Sequence, residues 1–164
     1  ADVGLVYCEV EPDPAKFHWV PLYEYALFPV CSPAVAQTMG TTPTAQDLMR
    51  KPLVAIYTEV QNWPTWFDSA GAVFEPSAPY LMVDTLAVAL EMALNGEGIA
   101  LVNGPFVDQD LVSGRLVRPI EHKAICPGAW GLICRKDMKE NLRIRTFMDL
   151  VTRNVEDSRL AEFN

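Results

Sequence analysis

The sequence predicts an α/β fold, a wound and mostly parallel sheet with helices on both faces. Three observations carry that reading. Short apolar runs at 80–83, 99–102 and 116–120 alternate with helical segments. Leu86, Ala89, Leu90, Ala93 and Leu94 recur at helical spacing after the capping residues Asp84 and Thr85, and Asn95-Gly96 supplies the stop. The rest of the chain repeats the alternation of short apolar run and helix, the signature of parallel strands covered on two sides.

Taken in order, residues 2–7 already read as a strand with no lead-in, so the chain is expected to be the later part of something longer. Residues 10–16 are acidic and broken by proline, hence a loop. Residues 23–31 form an apolar run long enough to cross from one lobe to another. Ser32-Pro33 opens a short helix, with serine as cap and proline at the first position. Thr44 and Asp47 form a weakened capping box for a helix over 45–50. A buried strand over 52–57 ends at Thr58, and Trp63-Pro64 opens a helix that runs to Ala70-Gly71. After the run at 99–102, Asn103-Gly104-Pro105 turns into one more helix closed by Ser113-Gly114, with Pro105 at its first position. A strand over 116–120 follows, then a connector over 122–127, a returning strand over 129–134 and a final helix over 139–153. That helix carries Ile144, Phe147, Met148 and Val151 on one face.

Composition narrows the function. The chain of 164 residues is one domain or two small lobes, and burying roughly 70% of its unfolded surface is within reach. Half of it is hydrophobic and 21% charged, an ordinary globular balance. A net charge of −8 argues against direct nucleic-acid binding, which needs clustered Lys and Arg. One basic cluster (Arg135, Lys136, Lys139, Arg143, Arg145) lies on or beside the final helix. The four cysteines lack Cys-x-x-Cys spacing and read as small buried thiols. With only His18 and His122 beside them, no zinc ligand set or other cofactor is indicated. No apolar run approaches membrane-spanning length. Catalytic motifs are lacking too: there is no nucleophile elbow, phosphate loop or nucleotide-binding glycine fingerprint. A ligand-binding module is preferred over an enzyme.

In open sheets of this kind ligands bind beyond the carboxyl ends of the strands, where helices begin. Thr58, Asp84, Thr85 and Asn103 fall at such ends, and Tyr7 and Cys8 close the first strand, where they would face a cleft between lobes. Each also has a purely structural role open to it. Asp84 and Thr85 cap a helix, Thr58 closes a turn, and Asn103 holds one. Ser32 reads as a cap rather than a nucleophile, and Trp63 with Trp66 reads as packing.

An ordered set of segments resembles a known family. Asp2-Val3-Gly4-Leu5-Val6-Tyr7 is followed by Pro21-Leu22 and by Leu27-Phe28-Pro29-Val30-Cys31-Ser32-Pro33. Then come Asp47-Leu48 before Pro52-Leu53, Trp63-x-x-Trp66 before Ala70-Gly71, and Gly96-x-Gly98-Ile99-Ala100-Leu101. Gly114-Arg115-Leu116-Val117 with Pro119 completes the series. Together they resemble the effector-binding domain of LysR-type transcriptional regulators, most of all the subgroup named after the glycine-cleavage activator. One departure stands out. Val6-Tyr7-Cys8 occupies the place of that subgroup's Arg-Tyr-Gly, so the arginine's usual ligand contact does not carry over.

The resemblance implies a two-lobed fold like the type II periplasmic binding proteins. Residues 28–132 would form a complete second lobe, with 1–27 and 133–164 as the remnant of a first. It further implies a small-molecule effector of unknown identity, a cytoplasmic protein and side-by-side homodimers. DNA would be contacted only through a winged helix-turn-helix preceding this segment, and no membrane would be involved. A transport-type solute-binding protein of the same fold is the main alternative, and an enzyme on this fold a third. With the first lobe incomplete, Val3, Leu5, Ile144, Phe147, Met148 and Val151 are expected to form an exposed apolar patch, which favours self-association or poorly packed ends.

Overall fold

The structure, a computed structural model, describes residues 2–161, with side chains set out for all of these except 104, 105 and 157–161. The chain divides into two compact units. One comprises Ala26–Ile125, and the other Ala1–Tyr25 with Cys126–Asn164.

In the unit Ala26–Ile125 three strands run parallel: β3 (Leu53–Ile56), β4 (Tyr80–Val83) and β5 (Ile99–Asn103), with β3 between the other two. The second half of β2 (Phe17–Val30) pairs antiparallel with β5, placing Leu27 opposite Asn103 and Val30 opposite Ala100. Every residue of β3 and β5 is buried. Strands buried on both faces need a layer of helix on each side, which explains their uninterrupted apolar runs. One layer is α4 (Leu86–Leu94), which packs on β3, β4 and β5. Ala89 and Ala93 lie flush against Val54, Ala100 and Val102 in that core.

A second apolar cluster grows from α3 (Asn62–Ser69). Trp63, Trp66 and Phe67 are fully buried, with Trp63 and Trp66 edge to face at 6.1 Å. The Trp63 indole N–H donates to the Val54 carbonyl at 2.9 Å. Packing is thus the role of both tryptophans. The short helices α1 (Pro33–Gln37) and α2 (Ala45–Leu48) start where expected. Ser32 caps the first by accepting from the Val35 N–H at 3.4 Å. The Asp47 carboxylate takes both the N–H and the hydroxyl of Thr44, at 2.9 and 2.7 Å, so the second helix is capped as anticipated but is shorter.

Two expected elements of this unit change. The helix after Asn103 comes in two pieces, a 3-10 turn over Gly104–Val107 and α5 (Asp108–Val112). Val107, at the junction of the two pieces, is turned wholly into the core. The side chain of Pro105 lies outside the described residues. The strand expected over 116–120 is not formed. Cys31 and Val117 exchange one antiparallel pair of backbone bonds, at 3.1 and 2.8 Å, and the ladder stops there. Pro119, which has no N–H, follows two residues later.

In the other unit β1 (Val3–Cys8) pairs antiparallel with β6 (Ala124–Arg135), from Val3 opposite Cys134 to Cys8 opposite Ala129. The first half of β2 lies on the far side of β6. Here Gly131 lets the two strands close, since a Cβ would come within 2.5 Å of the Val20 carbonyl oxygen. Both long strands begin earlier than periodicity suggests, β2 at Phe17 and β6 at Ala124. The helix α6 (Leu142–Ala161) starts three residues later than expected and runs further. Its inward stripe is Ile144, Met148 and Val155 with half-buried Val151, packed on Leu22, Leu132 and Cys134. The expected apolar patch is therefore largely covered. Phe147 sits at the edge of the stripe and is half exposed, as is Leu5. All four cysteines are free; Cys31 and Cys134 are buried, while Cys8 and Cys126 are only partly so.

Candidate functional site

The register of the parallel strands sets the site's geometry. Ile56 lies opposite Val83, and Val54 opposite Ala100. Counting forward, Tyr57, Asp84 and Asn103 come level at the carboxyl edge, with Thr58 and Thr85 one residue beyond. The structure thus brings Thr58, Asp84, Thr85 and Asn103 to one edge of a single unit. Thr58 belongs to a 3-10 turn, Tyr57–Glu59, and is exposed, as is Asp84. Thr85 is the N-cap of α4, accepting from the Val88 N–H at 3.4 Å. Asn103 is 5% exposed, one of two buried polar residues among those described.

Tyr7 and Cys8 belong to the other unit. The Tyr7 ring packs on Tyr25 at 4.7 Å and Trp130 at 6.0 Å, and its hydroxyl donates to the Pro127 carbonyl at 2.8 Å. Burial, with smaller contributions from Glu9, Cys126 and Cys8, raises its pKa, so the phenol stays protonated and its oxygen can still accept a hydrogen bond. Cys8 is half-buried opposite Ala129.

Other groups were missed in the sequence. Tyr57, more than half exposed, stands at the strand-end row beside the polar set; its place just before Thr58 was the available signal. Arg118 and Lys123 hold their cations 5.4 and 5.3 Å from the centre of the buried Phe28 ring, and Phe28 lies opposite Val102, one residue from the end of β5. Arg118 also pairs with Glu121 at 2.9 Å. Their distance from Phe28 in sequence hid this cluster. Burial raises the Glu59 carboxyl above its ordinary range, and a bond from Asn62 at 2.7 Å partly offsets the rise. Among the described residues no group of three or more His, Cys, Asp and Glu side chains could hold a metal ion, and no helix is long and apolar enough to cross a membrane.

A polar rim thus lies at the carboxyl edge of the parallel strands, with a helix amino terminus opening there, the position at which open α/β sheets take their ligands. Residues 1–156 match the family model described as the LysR substrate binding domain, and the chain belongs to that family. Among curated proteins it is 34% identical over 109 residues to the HTH-type transcriptional regulator TrpI of Pseudomonas aeruginosa, covering 66% of this chain and 37% of that one. It is 27% identical over 126 residues to the glycine cleavage system transcriptional activator of Escherichia coli, covering 77% and 41%. The chain thus spans about two fifths or less of these relatives' length, and both are transcriptional regulators. The AmpR effector binding domain from Citrobacter freundii superposes with a TM-score of 0.76 at 23% identity, over 95% of this chain and 75% of that one. The regulatory domain of CrgA from Neisseria meningitidis gives 0.67 at 19%, over 94% and 75%. The fold is that of LysR effector domains, like the type II periplasmic binding proteins.

Proposed function

We propose that this chain is the ligand-sensing domain of a bacterial LysR-type transcriptional regulator. A small-molecule effector would bind at the carboxyl edge of β3, β4 and β5 and alter DNA binding or transcription activation by the full-length protein. The family match over residues 1–156 carries the reading. Thr58, Asp84, Thr85 and Asn103 are the effector contacts in one unit, and Tyr7 and Cys8 those in the other. Asp84 disfavours a ligand carboxylate at its own position and favours an amine. DNA would be reached through an amino-terminal helix-turn-helix, in the cytoplasm, by a homodimer. Catalysis forms no part of this role.

A thermal-shift screen of small metabolites, followed by calorimetry, tests the effector reading. A ligand that raises the melting temperature of the wild type and binds Asn103→Ala at least several-fold more weakly supports it. Failure of every binder to respond to Asn103→Ala, Thr58→Val and Asp84→Asn would refute the site. Light scattering tests the dimer: a doubled mass at micromolar concentration is expected, and a strict monomer removes self-association from the proposal.

A further inference from the structure

The basic cluster beside the final helix has no part in the effector site. In the unit Ala1–Tyr25 with Cys126–Asn164, a cavity of about 390 Å³ opens between α6 and β2. Its floor is apolar, with Val20 and the buried Met148. Its walls carry Lys139, Arg145 and Arg153 with His18, against a single acid among the described residues, Asp149. This runs counter to the chain, in which 21 acids outnumber 13 bases.

The helix explains the grouping. Arg145, Asp149 and Arg153 recur every four residues and so form one stripe on α6. No ion pair among the described residues engages any of the three, and Lys139 pairs with exposed Glu140 at 3.5 Å, outside the cavity. The Thr152 hydroxyl donates to the Met148 carbonyl at 2.9 Å, leaving its oxygen able to accept from a ligand. Among the described residues, two guanidinium forks and an ammonium therefore face a small space with one carboxylate to balance them. Guanidinium geometry matches tetrahedral oxyanions, and the residual formal charge of two (three cations less Asp149) is that of a phosphate dianion. The volume suits a small ligand, not an extended polyanion, which would need a basic track longer than one cavity.

We propose that this cavity binds a small phosphate-class oxyanion, at a second ligand site distinct from the strand-end rim. The test is a titration with inorganic phosphate against chloride at matched ionic strength, followed by backbone amide NMR. Saturable shifts confined to His18, Val20, Arg145 and Thr152 are expected. The double variant Arg145→Gln, Arg153→Gln should weaken binding by about tenfold or more with its melting temperature unchanged, because both side chains are exposed. Asp149→Asn should tighten it. Shifts that stay linear in phosphate, or spread over every basic residue, would reduce the effect to screening and overturn the site. Unchanged affinity in the double variant would overturn it as well. So would a short DNA duplex or an acidic peptide that shifted the same amides at lower concentration than phosphate. None of these residues belongs to the proposed effector contacts, so either site can fail without the other.

Discussion

At Gly98 the absence of a side chain decides the packing of two strands. A Cβ there would lie 2.8 Å from the Pro52 carbonyl oxygen and 3.0 Å from a Val54 methyl. Gly96 is needed for a different reason: its φ of +78° ends α4, and a Cβ would meet the Ser32 hydroxyl at 3.4 Å and a Val35 methyl at 3.8 Å, with no backbone in the way. Gly98→Ala should therefore cost about 1–3 kcal/mol through overpacking against backbone, and Gly96→Ala about 1 kcal/mol through strain, in urea unfolding. Equal costs would show that close approach is not what Gly98 provides. The two rim threonines should separate in a similar way. Thr58 is exposed in a 3-10 turn, so Thr58→Val should leave stability unchanged. Thr85 caps α4, so Thr85→Val should cost about 0.5–2 kcal/mol while Thr85→Ser restores the cap. Each valine variant should lose about three- to tenfold in effector affinity, the worth of one neutral hydrogen bond. Calorimetry showing unchanged affinity for both would leave them as turn and cap alone. The glycine pair was legible in the sequence as a motif; which glycine serves φ and which serves contact was not, because a close approach by residues 52 and 54 leaves no local mark.

Among the elements, the turn Tyr57–Glu59 and α3 are joined by the Glu59–Asn62 hydrogen bond. Burial raises the Glu59 pKa in the fold, so the ionised carboxylate costs stability at neutral pH. Stability from this group is greatest below the unfolded pKa, about 4.3, and falls as pH rises through the higher folded value. Glu59→Gln, which keeps an oxygen for Asn62, should raise the melting temperature near pH 7 and make no difference below about pH 4. A gain that persisted at low pH would assign it to something other than ionisation. Asp47 has the opposite sign. The N–H and hydroxyl of Thr44 hold its carboxyl low, so its support for α2 is present above the unfolded pKa and lost as pH falls through the folded one. On α6 the stripe of Ile144, Met148 and Val155 makes a further prediction. Met148→Ala should cost about 2–5 kcal/mol, and Phe147→Ala much less, since Phe147 is half exposed. Chemical denaturation of the two variants would show whether the packed face has been assigned correctly. The helical period in the sequence placed Ile144, Phe147, Met148 and Val151 together; only packing against Leu22 and Leu132 separated Phe147 from the rest and added Val155.

For the whole molecule, a net charge of −8 and a confined basic cavity together argue against duplex binding by this chain. Phosphate contacts accumulate along a track of cations, and the affinity they confer falls steeply with salt. Titration with duplex DNA at low salt should therefore give no specific complex. A submicromolar complex that survives added salt would contradict the proposal that DNA is not read by this chain.

Local chemistry determined much of this protein by itself. The run Ile99-Ala100-Leu101-Val102, held between Gly98 and Asn103-Gly104, is a buried strand, and Thr85, Asn95 and Gly96 set the ends of α4 through caps and a positive φ. The strand-end residues were legible for the same reason, because an α/β alternation places the carboxyl ends of parallel strands on one edge. Pairing partners were not. The run at 116–120 has the composition of a strand, yet it meets Cys31 through one bridge. Arg118 and Lys123 reach Phe28 across some ninety residues of chain. The basic residues of α6 line a cavity only because His18 and Val20 of β2 lie opposite them. Such contacts depend on which distant segments share a layer, and periodicity along the chain carries no record of that; only the tertiary structure decided them.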